Sequence, residues 1–216
     1  MVVKRRYASA QRQEQARRTR NAVLDAAATL FVDPGYAATP LTAVAARAGV
    51  AVQTVYAVFG SKRNLLSALL DRTIAGDDEP VALPQRAFVA EIHALAGPEA
   101  KLARYAVHLE QTNARQVDVM LALLNAASAD ADAAAILRKN DEERRRGMLM
   151  FAAELAGTGR LRAGHDVESA ADVLWLAMDV RNYDWLVRRR GWTPERYRDW
   201  YVRTTAAALL DAAAGP

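Results

Sequence analysis

Thr42, Gln53, Thr54 and Tyr56 stand within fifteen residues of one another, and Lys62 follows six residues later. Their side chains share one kind of chemistry. A glutamine amide can donate to and accept from an adenine edge at once, and hydroxyls and an ammonium suit phosphate oxygens. Other chemistries find little to work with. The histidines, at 93, 108 and 165, form no H-E-x-x-H motif and no i, i+4 pair, so no metal site is expected. The absence of cysteine removes disulfides, thiolate ligands and a cysteine nucleophile. Asp130 and Asp132 lack the glycine and distal glutamate of a calcium loop, and the Gly157/Gly159 turn has no Walker lysine. No catalytic residue, metal or cofactor is assigned.

The elements that must position the polar set lie in residues 39–66, TPLTAVAARAGVAVQTVYAVFGSKRNLL. Thr39 reads as an N-cap with Pro40 at the first helical position, where its missing N–H costs nothing. Leu41, Val44, Ala45 and Ala48 form one apolar face. Gly49 permits a tight turn. A second short helix follows at about 52–58, packed through Val50, Val55 and Phe59, with Val52, Gln53, Thr54 and Tyr56 on its outer face. Two short helices joined by a turn of 3–4 residues make a helix-turn-helix, whose second helix enters the major groove N-terminus first. Gln53 then meets adenine edges, Val52 a thymine methyl, and Thr54 and Tyr56 phosphates. Ser61 caps the next helix, expected to run to about Ile74. Lys62 on its first turn can hold a phosphate together with the helix N–H groups.

Ahead of this segment a helix is expected over 9–32, with Val23, Ala26, Ala27, Leu30 and Phe31 on one stripe, ended by Asp33-Pro34-Gly35. Residues 1–75 carry eleven basic and four acidic side chains, a net of +7; the whole chain carries +4, so residues 76–216 carry −3. A basic head on a slightly acidic body suits a polyanion partner. Arg17, Arg18 and Arg20 are expected along a nucleic-acid backbone, and residues 1–12 form a flexible basic arm. Residues 1–20 contain no apolar stretch of a signal peptide, and no apolar run approaches the ~18 residues of a membrane span. A cytoplasmic protein without membrane contact is expected.

The run A-G-V-x-x-x-T-V-Y-x-x-F-x-S-K-x-x-L, from Ala48 to Leu65, resembles the DNA-binding signature of TetR/AcrR-type transcription regulators. The resemblance implies base contacts from Thr42, Val52, Gln53 and Tyr56 and a phosphate contact from Lys62; Thr39 also falls on the pattern. One departure is Ala51, where the family often has a capping serine or threonine. The order G-x-L-R…A-A-D-V-L-W…R-G-W-T-P-E-x-Y-x-x-W in residues 159–200 resembles the C-terminal part of the same family.

The fold class expected is all-α, with a three-helix helix-turn-helix domain in 1–75 and a helical ligand-binding and dimerisation domain in 76–216. The junction is placed at 76–84, GDDEPVALP. Further helices are expected at 85–96, 98–113, 116–128, 131–156, 167–190 and 194–213. In 141–146, DEERRR, the pairs Asp141–Arg145 and Glu142–Arg146 are expected on a solvated helix face. Helix 167–190 is apolar on more than one face and needs cover on both sides. Val173, Ala177, Val180, Tyr197, Trp200, Tyr201 and Ala208 are taken as a dimer interface, and the resemblance implies four helices there, two from each subunit; packing within one subunit is the alternative. A small-molecule pocket, also implied by the resemblance, would draw on Tyr105, His108, Met120, Asn125, Trp175 and Met178, for a hydrophobic or aromatic effector. The functional expectation is a homodimeric repressor of an inverted-repeat operator on double-stranded DNA, released by such an effector. The alternatives are a DNA-binding regulator without an effector and an all-α enzyme or interaction module.

Overall fold

Proline and glycine punctuate a chain that is otherwise rich in helix formers, and the computed structural model follows that punctuation over the residues it describes, 2–76 and 85–211. Ten α-helices are described: α1 Val2–Leu30, α2 Leu41–Ala48, α3 Val52–Phe59, α4 Lys62–Ala75, α5 Ala87–Ala94, α6 Pro98–Ala126, α7 Ala131–Ala156, α8 Val167–Ala177, α9 Val180–Tyr183 and α10 Pro194–Leu209. Among the described residues there is no β-strand, only one antiparallel bridge between Leu161 and Leu210. The fold is all-α. No single described helix is long and apolar enough to cross a membrane. Nearly all of the junction expected at 76–84 lies outside the described residues.

Two compact units emerge. The first comprises Met1–Arg72 with Asp118–Leu137, the second Thr73–Val117 with Arg138–Pro216. α6 and α7 therefore each contribute to both units, a pairing that a cut in the linear sequence does not express.

In the first unit α1 starts at Val2, well before the expected residue 9, because nothing in this arginine-, alanine- and glutamine-rich stretch breaks a helix. Val23, Leu24, Ala27 and Phe31 are wholly buried. At the other end Asp33 adopts φ −142° and ψ 118°, since a residue preceding proline is driven out of the helical region. α2 begins at Leu41 rather than at Thr39. Thr39 does not cap it: the side chain is buried, and its hydroxyl donates to the carbonyls of Leu30 at 2.7 Å and Gly35 at 2.8 Å. It latches the start of α2 to the end of α1.

In the second unit two expectations are corrected. Residues 98–126 form one helix, not two, because Asn113-Ala-Arg-Gln116 contains no glycine or proline; Asn113 and Gln116 face inward and Arg115 is exposed. Conversely, residues 167–190 are not continuous. α8 opens with a capping box between Asp166 and Ser169 and ends at Ala177. Asp179 then turns extended, and its carboxylate accepts from the N–H of Arg181 to start α9. A wider turn, Asp184–Arg189, follows. The Asp179 carboxyl is held below the usual range, against its burial, by Arg181 and by Arg144 of α7. The expected Arg145 partner is also replaced: Arg145 reaches Glu168 at 2.8 Å and Asp172 at 3.7 Å on α8, while Arg144 pairs with Asp141 at 3.2 Å.

Candidate nucleic-acid interface

Between α2 and α3 the chain bends by 107°. Gly49 makes the bend in the left-handed region, φ 68° and ψ 31°, and its N–H and that of Val50 close the end of α2 on the carbonyls of Ala46 and Ala45. Leu41, Val44 and Ala45 of α2 and Val55 and Phe59 of α3 are buried. An apolar contact at i, i+4 on α3 fixes which residues turn outward. Gln53 and Tyr56 are exposed, the latter 54%; Val52 and Thr54 are half-buried; Thr42, near the start of α2, is exposed. These are the dimensions and polarity of a helix-turn-helix reading head.

The start of α3 lacks a side-chain cap. Ala51 occupies that position with extended φ −69° and ψ 145°, and no side-chain hydrogen bond is made. Gly60 reverses the chain after α3 with φ 74°, and Ser61 caps α4 by accepting from the N–H of Asn64 at 3.1 Å. Lys62 turns inward more than its sequence position suggests. Its ammonium lies 4.3 Å from the Tyr36 ring centroid and donates to the carbonyl of Ala37 at 3.4 Å; partial burial lowers its pKa. Tyr36, which sequence reasoning missed, is itself buried and stands edge-on to Phe31 at 5.1 Å, and its hydroxyl is pushed up to about 12 by burial and then by Asp130 and Asp132. The Gly35-Tyr36 pair after Pro34 was its only visible signal.

Of the basic residues on α1, Arg17 and Arg18 are exposed and share Glu14 at 3.0 and 3.1 Å, pairs of small worth in water. Arg20 lies over the Phe59 ring at 4.9 Å. Arg5 and Arg6 fall where side chains are not described. Of the expected head contacts, Thr39 alone is buried with its hydroxyl engaged, so it has no surface to offer a phosphate.

Of the expected pocket residues, three gather in the second unit. Tyr105 is buried, donates its hydroxyl to Met178 Sδ at 3.8 Å, stacks on Phe151 at 4.8 Å and lies 6.1 Å from His108. His108 stacks on Phe88 at 3.6 Å and is pushed down to about 4, first by burial and then by Arg115, Arg104 and Arg86. Trp175 lies under Arg144 at 5.2 Å. Met120 and Asn125 do not join them: both belong to the first unit, where Met120 is buried and Asn125 exposed. The expected interface residues divide likewise. Tyr197 and Tyr201 are wholly buried inside a single chain, and Ala177 and Val180 are buried as well, so within-chain packing accounts for all four. Val173, Trp200 and Ala208 remain half-exposed. The large apolar residues most exposed near them in sequence are Leu176 at 64% and Trp185 at 52%, neither of which the sequence reading assigned to an interface.

Residues 23–69 match the family model described as bacterial regulatory proteins, tetR family. Over this segment the chain is similar to bacterial regulatory proteins of the tetR family. The matched segment spans the last eight residues of α1, α2 and α3, and the first eight residues of α4. Solved structures of tetR-type and other transcriptional regulators share the fold over nearly the whole chain. The SmeT–triclosan complex matches with a TM-score of 0.69 at 21% identity, covering 92% of this chain and 94% of that one; SmeT is described as the repressor of the Stenotrophomonas maltophilia multidrug efflux pump SmeDEF. A transcriptional regulator from Saccharomonospora viridis in complex with choline matches with a TM-score of 0.64 at 18% identity, covering 89% and 98%. FadR from Bacillus subtilis with stearoyl-CoA matches at 0.66 and 16%, covering 85% and 96%. No curated protein matches the chain.

Proposed function

We propose that the protein is a homodimeric repressor that binds an inverted-repeat operator and is released by a small-molecule effector. The carrying observation is the 107° bend between α2 and α3 with Gln53 and Tyr56 exposed on the second helix. Base readout is assigned to Thr42, Val52, Gln53 and Tyr56, and backbone contacts to Thr54, Lys62 and Arg17. For Lys62 to meet a phosphate, one of its three N–H groups can stay on Ala37 while another turns outward. The reading head is assigned to residues 1–75 and the regulatory body to 76–216. A second copy would cover Leu176, Trp185, Val173, Trp200 and Ala208, and two-fold symmetry would set the two heads one or more DNA turns apart. The ligands named for SmeT, the choline-bound regulator and FadR support an effector role for the body. An effector releases the operator only by binding the off-DNA state more tightly. A cytoplasmic location and no enzymatic activity accompany this reading.

Selection of bound sequences from random duplex DNA, at moderate salt because phosphate contacts are salt-sensitive, tests it. Enrichment of an inverted repeat is expected. Enrichment of a single unrepeated site would contradict the dimer, and no enrichment by folded protein would contradict operator recognition.

A further inference from the structure

The first unit is less basic than its linear sequence suggests. Residues 1–75 carry a net of +7, but the folded unit also takes in Asp118–Leu137, which brings three carboxylates and no basic side chain. Residues 73–75 are uncharged, so the unit stands at +4. Two of the three acids, Asp130 and Asp132, lie at the start of α7. Helix formation accounts for their place in the sequence. The Asp130 carboxylate accepts from the N–H of Ala133 at 2.8 Å, and Asp132 falls on the first turn, where the helix dipole favours an acid. It does not account for what they face.

They face the start of α4. Arg63 donates from Nη1 to Asp132 Oδ1 at 3.3 Å, across 69 residues of sequence. Both side chains are about half exposed, 51% and 56%. Lys62 stands beside Arg63, and the charge of Asp130 opposes the burial that lowers the Lys62 pKa. The Tyr36 ring beneath the Lys62 ammonium feels, after its own burial, Asp130, Asp132 and Arg63 together. Two cations and two carboxylates are thus gathered around one ring. Arg17 and Arg18, by contrast, pair with Glu14 inside their own helix. Arg63 pairs with a helix whose later residues belong to the second unit.

We propose that Arg63 is a further contact to the DNA backbone and that Asp132 competes with phosphate for its guanidinium, so that the start of α7 restrains DNA binding. This rests on the reading of the first turn of α4 as a phosphate contact, and adds to it a second residue and a competitor from the same chain. The chemistry is an exchange of one anion for another. A guanidinium fork fits a phosphate as it fits a carboxylate. An exposed pair of this kind is worth little in water, so releasing Asp132 costs little, while each phosphate neutralised frees counterions from the DNA.

Binding of duplex DNA, read by fluorescence anisotropy over a series of salt concentrations, tests this. The probes are the duplex that the natural protein enriches from random DNA and a scrambled duplex of equal length. Arg63→Gln is expected to weaken both duplexes alike and to make log affinity against log salt shallower by about 0.9, the change for one phosphate contact. Arg63→Lys keeps the charge without the fork and is expected to keep the natural slope. Asp132→Asn is expected to tighten both duplexes by about 2- to 5-fold, the worth of one exposed pair, and to tighten neither when Arg63→Gln is already present. Asp172→Asn removes a similarly exposed carboxylate from α8 and is expected to leave affinity as it is. Natural affinity and slope in Arg63→Gln overturn the backbone contact, and an equally shallow slope in Arg63→Lys overturns it by marking damage to α4. No tightening by Asp132→Asn, or the same tightening with and without Arg63, overturns the competition. Equal tightening by Asp172→Asn would reduce the effect to net charge and overturns it as well. Lys62→Ala on the same duplexes tests the underlying reading separately. Weaker binding by Lys62→Ala with no change in Arg63→Gln removes only this inference, whereas a folded natural protein that binds neither duplex at low salt removes both.

Discussion

The reading head and the body dispose of their tyrosines in opposite ways. On α3 Tyr56 is more than half exposed, whereas on α10 Tyr197 and Tyr201 have no exposed surface at all. A tyrosine exposed on a short, rigid helix is chemistry offered to a partner. A tyrosine enclosed by Tyr105, Asn113 and Tyr183 is first of all packing. Residue type is the same in both places; the difference is what the fold does with the hydroxyl.

That contrast can be broken or sharpened by substitution. The largest effect is expected at Tyr197→Ala, which removes a fully buried aromatic ring and should cost about 3–5 kcal/mol in chemical denaturation. A loss below about 1 kcal/mol would mean that the ring contributes little packing and would reopen α10 as an interface helix. Tyr56→Ala should do the reverse. Folding stability should change by no more than about 0.5 kcal/mol, as for other surface substitutions. Operator affinity, read by fluorescence anisotropy, should fall by about 1–3 kcal/mol, the scale of a lost base contact. Unchanged affinity would remove Tyr56 from the interface.

Smaller still is Ala51→Ser. The backbone at 51 already has the extended geometry of a cap, so a serine hydroxyl accepting from α3 should add about 1 kcal/mol and raise the melting temperature. An unchanged or lower temperature would show that the start of α3 cannot accept a cap.

The pH response belongs to the body. His108 has a folded pKa of about 4 against an ordinary 6.5, so its neutral form is favoured by folding. Stability from this group is complete above about 6.5 and is lost as pH falls toward 4. His108→Phe should therefore flatten the acid side of a stability profile between those values; an equally steep profile would assign acid lability to other groups.

Legibility divides along the same line as the tyrosines. The head was readable because its rules are local. Gly49, the 3.6-residue spacing of Leu41, Val44 and Ala45, and the outward Gln53 all follow from a few neighbours in sequence. Thr39 failed because a hydroxyl beside proline signals a cap equally well whether it points forward to α2 or, as here, back to the carbonyls of Leu30 and Gly35. In the body the rules are non-local. Asn113 and Gln116 read as a break between two helices, yet α6 runs straight through and turns them inward. Asp179 falls inside the single helix expected over 167–190, yet it caps the start of α9. Tyr197 and Tyr201 carry the same aromatic signal for a core and for an interface, and only their packing against α6 separates the two. Arg145 likewise prefers Glu168 and Asp172 on another helix to the partner four residues away.

The most direct test of sequence reading by α3 is to repeat the selection from random duplex DNA with Gln53→Ala beside the natural protein. The substitution would remove the proposed bidentate adenine contact without touching the buried side of the helix. The account predicts an inverted repeat in both experiments, with preference relaxed at one A·T position, symmetrically in each half-site, at a cost of about 1–3 kcal/mol for that base pair. An identical motif from both proteins would contradict it, because the outer face of α3 would then not be the surface that reads the DNA.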